Sequence, residues 1–389
     1  SMMPPEDQWP VSDAWAYHDW HQGKAGDVAS FMKAMQNRLG VPSNLEDFES
    51  KAQLLNYESH RAIFEGMNAG LFTRNSGRLL WMTHPAWPST TWQIYSHDYD
   101  THAAFFGAKK GAEPVHVQVN LPDRTIAVVN SLGTPIADTN LRVRNFGLDG
   151  VLLDDRSIPF AAGAYAVAPA GDAVSDAVFA RARVVLTKLE LRGSDGRLIS
   201  ENLYWLAREP EAFRAMTAME KAAVGVTARR LADDGGEQVV EATLTNPGSQ
   251  PALLVKIAVL DAAGQRVLPA YWSDNYVSLL PGETRVVTIR TPLSAAISMR
   301  HVGVVDQLLR AGAAPDLALP GDVTPLMLAA ALGQPELVSR LLAHDADPQA
   351  RDAQGLGPLH CAALHAFSSR DRQRVLALMD ILLLADAGP

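Results

Sequence analysis

The C-terminal part of the chain is built from a repeated sequence, and this repeat limits the possible fold more than any other feature. "TPLSAA" begins at Thr291, "TPLMLAAALG" at Thr324 and "GPLHCAALH" at Gly357, so each copy starts 33 residues after the previous one. The leucine pairs that begin at Leu308 and Leu341 keep the same spacing, whereas the third copy is lengthened by eight residues. A fixed period of this size indicates units that cannot bury their apolar face alone and therefore stack on one another.

The 33-residue period and the T-P-L-x-x-A pattern resemble those of the ankyrin repeat. The resemblance implies two antiparallel helices and a turn per unit, so residues 291–389 are expected to form three units of an α-helical array. Such arrays bind proteins through their concave face and turn tips, which implies an unknown protein partner. His360 and Cys361 lie within the third copy of the pattern, where the histidine is expected to form a structural hydrogen bond.

Two stretches before the repeats have the pattern of β-sheet domains. Alternating runs such as "VHVQVNLPDRTIAVVN", "RARVVLTKLELRG" and "QVVEATLTN" are separated by turn-forming segments such as "LPDR", "GSDGR" and "TNPGSQP". Alternation with turns at this spacing is typical of antiparallel sheets that pack face to face. The number of runs predicts two immunoglobulin-like β-sandwiches, at residues 111–210 and 211–290.

Residues 1–110 mix helical patterns with a buried strand. "DVASFMKAMQNRLG" has apolar residues at helical spacing, and a longer helix is expected between Asn44, as its N-cap, and Gly70, as its end. The apolar run "GRLLWM" at residues 77–82 has the length of a buried strand. This order of elements is typical of an α/β barrel and predicts the C-terminal part of a (β/α)8 barrel. The predicted fold is therefore multidomain, with a partial TIM-barrel end, two immunoglobulin-like β-sandwiches and an ankyrin repeat array.

Composition excludes several classes of partner. The 389 residues carry a net charge of -9 without a block of Lys or Arg, so neither nucleic acid nor a membrane surface is expected as a partner. No apolar run reaches about 18 residues, so no membrane span is expected. His18 and His21 flank Asp19, and "SHDYDTH" at residues 96–102 is similar, but neither motif has a third ligand at a suitable spacing. We therefore expect no metal and no cofactor.

The aromatic stretch around residue 81 points to a known family. "LLWMTHPAWPSTTWQIYSHDYDTHAAFFGAKKGAEPVHVQ" contains a Trp at the end of the predicted barrel strand, a Trp-Pro, an "FG-x-KK" helix and an "EP-x-H-V" segment. Together with "LISENLYWLA" at residues 198–207 and "YWSDNYVSLLPGETRVVTI" at 271–289, it resembles glycoside hydrolase family 2, in the branch of β-mannosidases and exo-β-glucosaminidases. The resemblance covers residues 1–290.

The resemblance also implies where the catalytic residues should be. Retaining glycoside hydrolysis needs two carboxyl groups about 5 Å apart, and in this family both are Glu residues on barrel strands that would precede Ser1. No catalytic residue is therefore expected in this chain, which alone is expected to be inactive. The longer predicted helix carries four glutamates that are expected on its solvated face: Glu46, Glu49, Glu58 and Glu65.

Residues at the mouth of such a barrel are the candidates for substrate binding. The resemblance implies that Trp81 forms an aromatic floor beneath the sugar, with packing in the barrel core as the alternative, and that a cis bond joins Trp81 to Met82. His84 follows on the same loop, where relatives often have Asn or Asp. The loop "WAYHDWHQ" carries three further candidates: His18, Asp19 and Trp20.

Two functions remain open from the sequence. In the first, the chain is the C-terminal piece of a periplasmic or secreted exo-β-glycosidase that removes β-linked mannose or glucosamine from the non-reducing end of an oligosaccharide, and its ankyrin repeats are a protein-binding tail. In the second, it is a catalytically inactive remnant that acts as a protein-interaction module through those repeats. The sequence does not distinguish mannose from glucosamine, because the residues that contact the 2-position would lie mostly upstream.

Overall fold

The computed structural model describes residues 3–20, 28–80, 83–85, 87–89, 93–232, 237–260, 264, 266–298, 300, 302–310 and 312–386. The helices before the first sheet are α1 (Asp13–Tyr17), α2 (Val28–Leu39), α3 (Leu45–Asn68) and α4 (Ala103–Gly111). Both helices predicted for this region are present, as α2 and α3. Among these described residues, no helix is long and apolar enough to cross a membrane.

α3 begins where the sequence predicts its cap. The Asn44 Oδ1 atom accepts a hydrogen bond from the Asp47 backbone N–H at 2.9 Å, which satisfies one of the free donors of the first turn. The Asp47 carboxylate accepts in return from the Ser43 backbone N–H at 2.8 Å and pairs with Lys51 at 2.9 Å. The helix ends at Asn68, shortly before Gly70, so the predicted boundaries are confirmed.

The barrel strand is predicted at residues 77–82, of which the structure describes 77–80, and these four residues do not form it. Residues 77–80 form no strand, and the Leu79 side chain is 97% exposed. Trp81 and Met82 lie outside the described residues. A parallel barrel strand takes its hydrogen bonds from a neighbour on each side, and no strand of the described chain pairs with residues 77–80. The prediction of a strand is therefore wrong for these four residues.

Residues 115–207 form a two-layer β-sandwich with antiparallel neighbours. One sheet has the strand order β1-β2-β5 and the other has the order β4-β3-β6-β7. Apolar side chains from both sheets, such as Val128, Leu141 and Leu189, fill the space between them. Its elements are β1 (Val115–Asn120), β2 (Thr125–Asn130), β3 (Ile136–Phe146), β4 (Leu152–Ala162), β5 (Ala166–Asp172), α5 (Asp176–Phe179), β6 (Val184–Gly193) and β7 (Leu198–Ala207).

A second, smaller pair of sheets follows. A four-stranded sheet has the order β11-β13-β9-β8, and a two-stranded sheet pairs β10 with β12. Its core contains Leu244, Leu279 and Val287, together with Phe106 from α4, so the helical region packs against this domain. The strands are β8 (Gly225–Arg230), β9 (Glu237–Thr245), β10 (Ala252–Val255), β11 (Tyr271–Trp272), β12 (Val277–Leu279) and β13 (Thr284–Pro292).

The last part of the chain consists of three helix pairs, as the repeat predicts. The pairs are α6 (Leu293–Ser298) with α7 (Val302–Arg310), α8 (Pro325–Ala331) with α9 (Pro335–Leu342), and α10 (Pro358–Ser368) with α11 (Arg372–Asp386). At the start of α10, His360 Nδ1 accepts a hydrogen bond from the Gly357 backbone N–H at 3.3 Å. The structural role expected for this histidine is therefore confirmed.

The helix pairs are joined to the second β-domain without a linker. β13 ends at Pro292, and α6 begins at the next residue. Val267 of the β-domain is buried in the core that runs through the helix pairs, and Val259 packs against it. The Arg230 guanidinium also donates a hydrogen bond to the Gly312 carbonyl at 3.3 Å. The direct join to β13, the shared apolar core and the Arg230–Gly312 hydrogen bond therefore fix the first helix pair to the second β-domain.

A buried polar network joins α3 to the first β-sandwich; we call it the α3–sandwich network (Glu65, Glu113, His116, Asn202 and Tyr204). The Glu65 Oε1 atom accepts hydrogen bonds from His116 Nε2 at 3.0 Å, Asn202 Nδ2 at 3.0 Å and Tyr204 OH at 2.5 Å. The His116 Nδ1 atom lies 3.2 Å from the Glu113 carboxylate. One imidazole thus bridges a carboxylate on α3 and a carboxylate that precedes β1.

The network determines the charge of His116. Burial alone would lower the pKa of His116, but its hydrogen bonds to Glu113 and Glu65 outweigh burial and raise the pKa above its usual 6.5. The Arg61 guanidinium completes the arrangement, because it donates to Asn202 Oδ1 at 2.8 Å and to the Leu203 carbonyl at 2.7 Å. The network therefore holds Arg61, Glu65 and His116 together away from solvent, with the partly exposed Glu113 at its edge.

Two of the four helix glutamates are not solvated. Glu58 and Glu65 are only 7% and 3% exposed, and the expectation of a solvated face is wrong for both. Glu58 accepts hydrogen bonds from the Arg38 guanidinium of α2, and Glu65 belongs to the α3–sandwich network. Each carboxylate is buried because another element provides a cation beside it. Glu46 and Glu49 are exposed, as expected.

Candidate functional site

A cavity of about 780 Å3 lies beside the first half of α3. Residues of the segment 3–20, α2, α3 and the segment 93–104 surround it, and Lys256 and Arg266 reach it from the second β-domain. We call it the α3 cavity. Its volume is within the range of small-molecule pockets, roughly 300–1,000 Å3.

Aromatic rings form one wall of the α3 cavity. The Trp20 ring packs edge-on against Trp15, Phe31 and Phe48, with centroid distances of 5.6, 5.7 and 5.8 Å. Trp15 is fixed in turn, because its Nε1 donates to the Asp7 carbonyl at 3.2 Å. Trp20 is only half-buried, so part of the indole remains accessible. A ring held in this way can pack against the C–H face of a sugar.

Charged side chains on the rim of the cavity are already paired. The Arg266 guanidinium contacts Asp98 at 2.9 Å and Asp100 at 2.6 Å, and Lys256 contacts Asp100 at 3.2 Å. Burial alone would raise the pKa of Asp98, but the hydrogen bond from Ser96 and the charge of Arg266 outweigh burial and lower it. Both carboxylates therefore attach the segment 93–104 to the second β-domain.

Two histidines in the cavity wall are held neutral. His60 Nδ1 donates to the Asn56 carbonyl at 3.0 Å, and burial lowers the pKa of His60. Burial lowers the pKa of His102 to about 4. A neutral imidazole has one nitrogen donor and one nitrogen acceptor, so these side chains offer hydrogen bonds without charge.

Three polar atoms of the cavity wall lack a partner. Gln93 Oε1, His97 Nδ1 and His102 Nδ1 are buried, and none of them forms a hydrogen bond within the described part of the chain. A buried polar atom without a partner costs about 1–3 kcal/mol. The three side chains line the cavity, but these atoms are closed to solvent, so a ligand would reach them only if the side chains turned towards it.

Two of the predicted site residues meet at this cavity. Asp19 and Trp20 both line it, and Asp19 has the left-handed φ of 68° just after the end of α1. Trp81 and the Trp81–Met82 peptide bond lie outside the described residues, so the expectations for them stay predictions.

The other two predicted site residues lie elsewhere in the same region. His18 Nδ1 is 2.8 Å from the Pro88 carbonyl, and its ring stacks on Trp87 with centroids 5.9 Å apart. The His84 ring stacks on Tyr99 at 4.1 Å. Neither histidine is among the described residues that line the α3 cavity.

Sequence analysis missed most of the polar wall of the cavity. The spacing within "SHDYDTH" argues only against a metal site, yet the segment brings His97, Asp98, Asp100 and His102 to the cavity. Its signal was the density of polar side chains directly after an aromatic stretch. In the portion that the structure describes, no group of three His, Cys, Asp or Glu residues is placed to hold a metal ion.

Comparison with family models identifies two parts of the chain. Residues 202–306 match the immunoglobulin-fold domain of exo-β-D-glucosaminidase. Residues 293–380 match a model of three ankyrin repeats. The first match begins at β7 and ends within α7, so it crosses the join between the second β-domain and the helix pairs.

Whole-chain comparisons find relatives that are much longer than the matched part. The exo-β-D-glucosaminidase of Streptomyces avermitilis is 31% identical over 72% of this chain and 34% of its own length. A mannosylglycoprotein endo-β-mannosidase of Lilium longiflorum is 28% identical over 74% of this chain and 36% of its own length. The crystal structure of the Amycolatopsis orientalis exo-chitosanase is 30% identical, with a TM-score of 0.64, over 74% of this chain and 37% of that one.

The chain therefore spans about a third of the length of the curated relatives it matches. The names of these relatives agree with the family that the aromatic stretch and the β-domain motifs resemble. The repeats form a separate match. The chain is thus a homologue, over part of their length, of the exo-β-D-glucosaminidases of glycoside hydrolase family 2, and it also carries ankyrin repeats.

Proposed function

We propose that this chain is the C-terminal part of a retaining exo-β-glycosidase that releases β-linked glucosamine or mannose from the non-reducing end of an oligosaccharide. The observation that carries the proposal is the α3 cavity, which is lined by the half-buried Trp20 and by polar side chains such as Asp19 and Gln93. The names of the glucosaminidase relatives favour glucosamine over mannose.

Five side chains that line the cavity have proposed roles. The accessible part of Trp20 packs on the sugar ring, and Gln93, His97 and His102 bond to its hydroxyl groups. The Asp19 carboxylate, on the same cavity, pairs with the ammonium group of glucosamine. Three further residues stay proposed substrate contacts on the strength of the resemblance alone: His18, Trp81 and His84.

We assign no catalytic role to a carboxylate of this chain. Asp98 and Asp100 are held by Arg266, and Glu65 is enclosed in the α3–sandwich network. Retention requires a nucleophile and an acid/base about 5 Å apart. We propose that both are carried by polypeptide that corresponds to the rest of the relatives' length, and that this chain alone binds sugar without hydrolysing it.

Calorimetric titration with glucosamine and with its β-linked disaccharide tests the binding step. We expect binding to the wild-type chain and roughly tenfold weaker binding to Trp20→Ala, because stacking on an aromatic ring is lost. Tyr165→Ala is the control, since Tyr165 is an aromatic residue that is 59% exposed on the first β-sandwich and lies outside the cavity lining. Absence of binding, or equal losses in both variants, would contradict the proposed site.

Hydrolysis of p-nitrophenyl β-D-glucosaminide tests the catalytic step. We expect no turnover by the chain alone. Turnover should appear when the non-overlapping part of the Amycolatopsis orientalis exo-chitosanase is added, because both carboxylates are then present. Turnover by the chain alone would show that a carboxylate described here is catalytic after all.

A second candidate function is that of a protein-interaction module without glycosidase activity. It is favoured by the helix pair α10–α11, where Leu364 is 60% exposed and Phe367 is 91% exposed. Leu364 and Phe367 are three residues apart in α10 and so lie side by side, and an apolar patch on the surface of a repeat array favours binding of a protein partner. If the chain binds no sugar and the added enzyme portion restores no turnover, this second function is the better one.

A further inference from the structure

A groove of about 620 Å3 adjoins the α3 cavity. Its walls are the first half of α3, the 3-10 helix at Pro210–Ala218 with the residues that follow it, and β10. We call it the α3 groove. Three side chains line both the groove and the cavity: Glu49, Gln53 and Lys256. The two hollows therefore meet along α3.

One face of α3 leads from the groove into the cavity. Polar residues recur on this face three or four positions apart, which places them side by side on the helix: Glu46, Glu49, Gln53, Asn56 and His60. The first three line the groove, and the last four line the cavity. From Glu46 to His60 this face spans about 21 Å along the helix. A ligand that follows it would be longer than a single sugar ring.

The α3 groove carries carboxylates that no cation neutralises. Glu49 and Glu220 line it and are exposed, and neither forms an ion pair within the described part of the chain. Glu46 pairs with Lys221, but the two side chains are 79% and 91% exposed. An exposed pair of this kind is weak, so a cation of the ligand can take the place of Lys221.

The other lysines of the groove do not oppose a cationic ligand. Lys51 contacts Asp47 at 2.9 Å, and Lys256 contacts Asp100 at 3.2 Å. Both ammonium groups are therefore neutralised by carboxylates of the chain itself. The charges of Glu49 and Glu220 remain uncompensated, and a positively charged ligand complements them.

A buried tyrosine lies where the groove and the cavity meet. Tyr276 lines the groove and is 4% exposed, and its hydroxyl has no partner among the residues that the structure describes. Burial raises the pKa of Tyr276, and the charges of Asp100 and Glu49 raise it further, so the hydroxyl points towards the junction. The atom is closed to solvent, and a hydroxyl or amino group of a ligand would bond to it once a lining side chain turns aside.

We propose that the α3 groove binds the sugar units that follow the terminal one, and that its ligand is an oligosaccharide of β-linked glucosamine. This inference rests on the proposed function, because the terminal unit is the one in the α3 cavity. The ammonium groups of successive units form charge-assisted hydrogen bonds with Glu49 and Glu220. β-linked mannose carries no cation, so the groove distinguishes the two sugars.

Apolar side chains complete the lining of the groove. Met219, Leu253 and Leu254 are partly buried and line it together with the carboxylates. Sugar rings have apolar C–H faces, which would pack on these side chains while the polar groups of the sugar face α3. The groove thus offers both kinds of contact that an amino sugar needs.

Calorimetric titration at pH 6 with glucosamine and with its β-linked tetrasaccharide tests the proposal. We expect the wild-type chain to bind the tetrasaccharide roughly tenfold more tightly than glucosamine, and to bind a β-linked mannose tetrasaccharide more weakly. The double variant Glu49→Gln/Glu220→Gln should lower the ratio of tetrasaccharide to glucosamine affinity by roughly threefold or more, because two ion pairs are lost. Asp380→Asn is the control, since Asp380 is an exposed carboxylate on α11.

Carbodiimide crosslinking locates the ligand without reference to its affinity. The reagent joins an amino group of the tetrasaccharide to a carboxylate that it contacts and takes up the water that is lost. Peptide mapping by mass spectrometry should find the sugar on Glu49 or Glu220, and not on Asp380.

Each opposite result has a distinct meaning. Binding of glucosamine without a gain for the tetrasaccharide would refute the α3 groove and leave the proposed function intact, whereas binding of neither sugar would refute both. Equally tight binding of the mannose tetrasaccharide would contradict selection of a cation. An equal fall of the ratio in Asp380→Asn, or crosslinks spread over the surface, would show only a general attraction between an acidic protein and a cationic sugar, and would overturn the proposal.

Discussion

Replacement of His116 by leucine should weaken the attachment of α3 to the first β-sandwich. The imidazole contacts Glu65 at 3.0 Å and Glu113 at 3.2 Å, and it is fully buried. A hydrogen bond to a charged group contributes about 1.5–3 kcal/mol, so the loss of both should cost about 3–6 kcal/mol at pH 6. Glu65 keeps Asn202 and Tyr204 as donors, which limits the loss to the lower part of this range.

The cost should depend on pH in a defined direction. The pKa of His116 is raised in the folded chain above its usual 6.5, so folding favours the protonated form. The stability that this charge contributes is complete below pH 6.5 and is lost as the pH rises through the folded pKa. The difference between wild type and His116→Leu should therefore be largest near pH 6 and should shrink above neutrality.

Hydrogen exchange measured by mass spectrometry gives the required local free energies. Exchange rates of peptides from α3 and β7, corrected for the pH dependence of intrinsic exchange, report the opening of this contact. Tyr204→Phe is the matched control, because it removes a donor to Glu65, and the pKa of Tyr204 lies well above 10, outside the tested range. A cost that is independent of pH in His116→Leu, as in the control, would refute the assigned charge.

Two further predictions concern the β-domain and the helix pairs. Burial alone would raise the pKa of Glu201, but Lys188 and Arg285 lower it from 4.5 to about 2. Roughly 3 kcal/mol of stability is therefore present above pH 4.5 and is lost as the pH falls towards 2. Circular dichroism should show a shallower acid transition for Glu201→Gln, and an unchanged transition would contradict this. Leu341 is 0% exposed, so Leu341→Ala should destabilise the array by about 2–5 kcal/mol in urea unfolding. Leu364 is 60% exposed, so the control variant Leu364→Ala should change the free energy of unfolding by no more than about 0.5 kcal/mol.

Local signals were sufficient for the helices and the repeats. The cap at Asn44 needs only the residues of one turn, and the sequence therefore places the start of α3 correctly. The 33-residue spacing is likewise visible without knowledge of the fold, since each helix pair repeats the same contacts with its neighbour. The resemblance to the glycosidase family also depended on short contiguous motifs around residue 81 and after Glu113.

Contacts between distant segments could not be read in this way. Glu58 and Glu65 have the spacing of a solvated helix face, and only the approach of Arg38 and His116 makes them buried. The run at residues 77–82 has the composition of a buried strand, but a strand also requires a partner to complete its hydrogen bonds. The polar wall of the α3 cavity depends similarly on Arg266, which is far from residues 96–102 in the sequence.

The passage from β13 into α6 has a mechanical consequence. Thr291 and Pro292 are the first residues of the repeat pattern, and they are also paired with Gln238 and Glu237 of β9. A force applied through the helix pairs would act along β13 and shear this strand against β9, so that many interstrand hydrogen bonds would resist the force together. Each helix pair, in contrast, contacts only its neighbours. A partner that pulled on the array would therefore peel the pairs apart one after another before the sheet yielded.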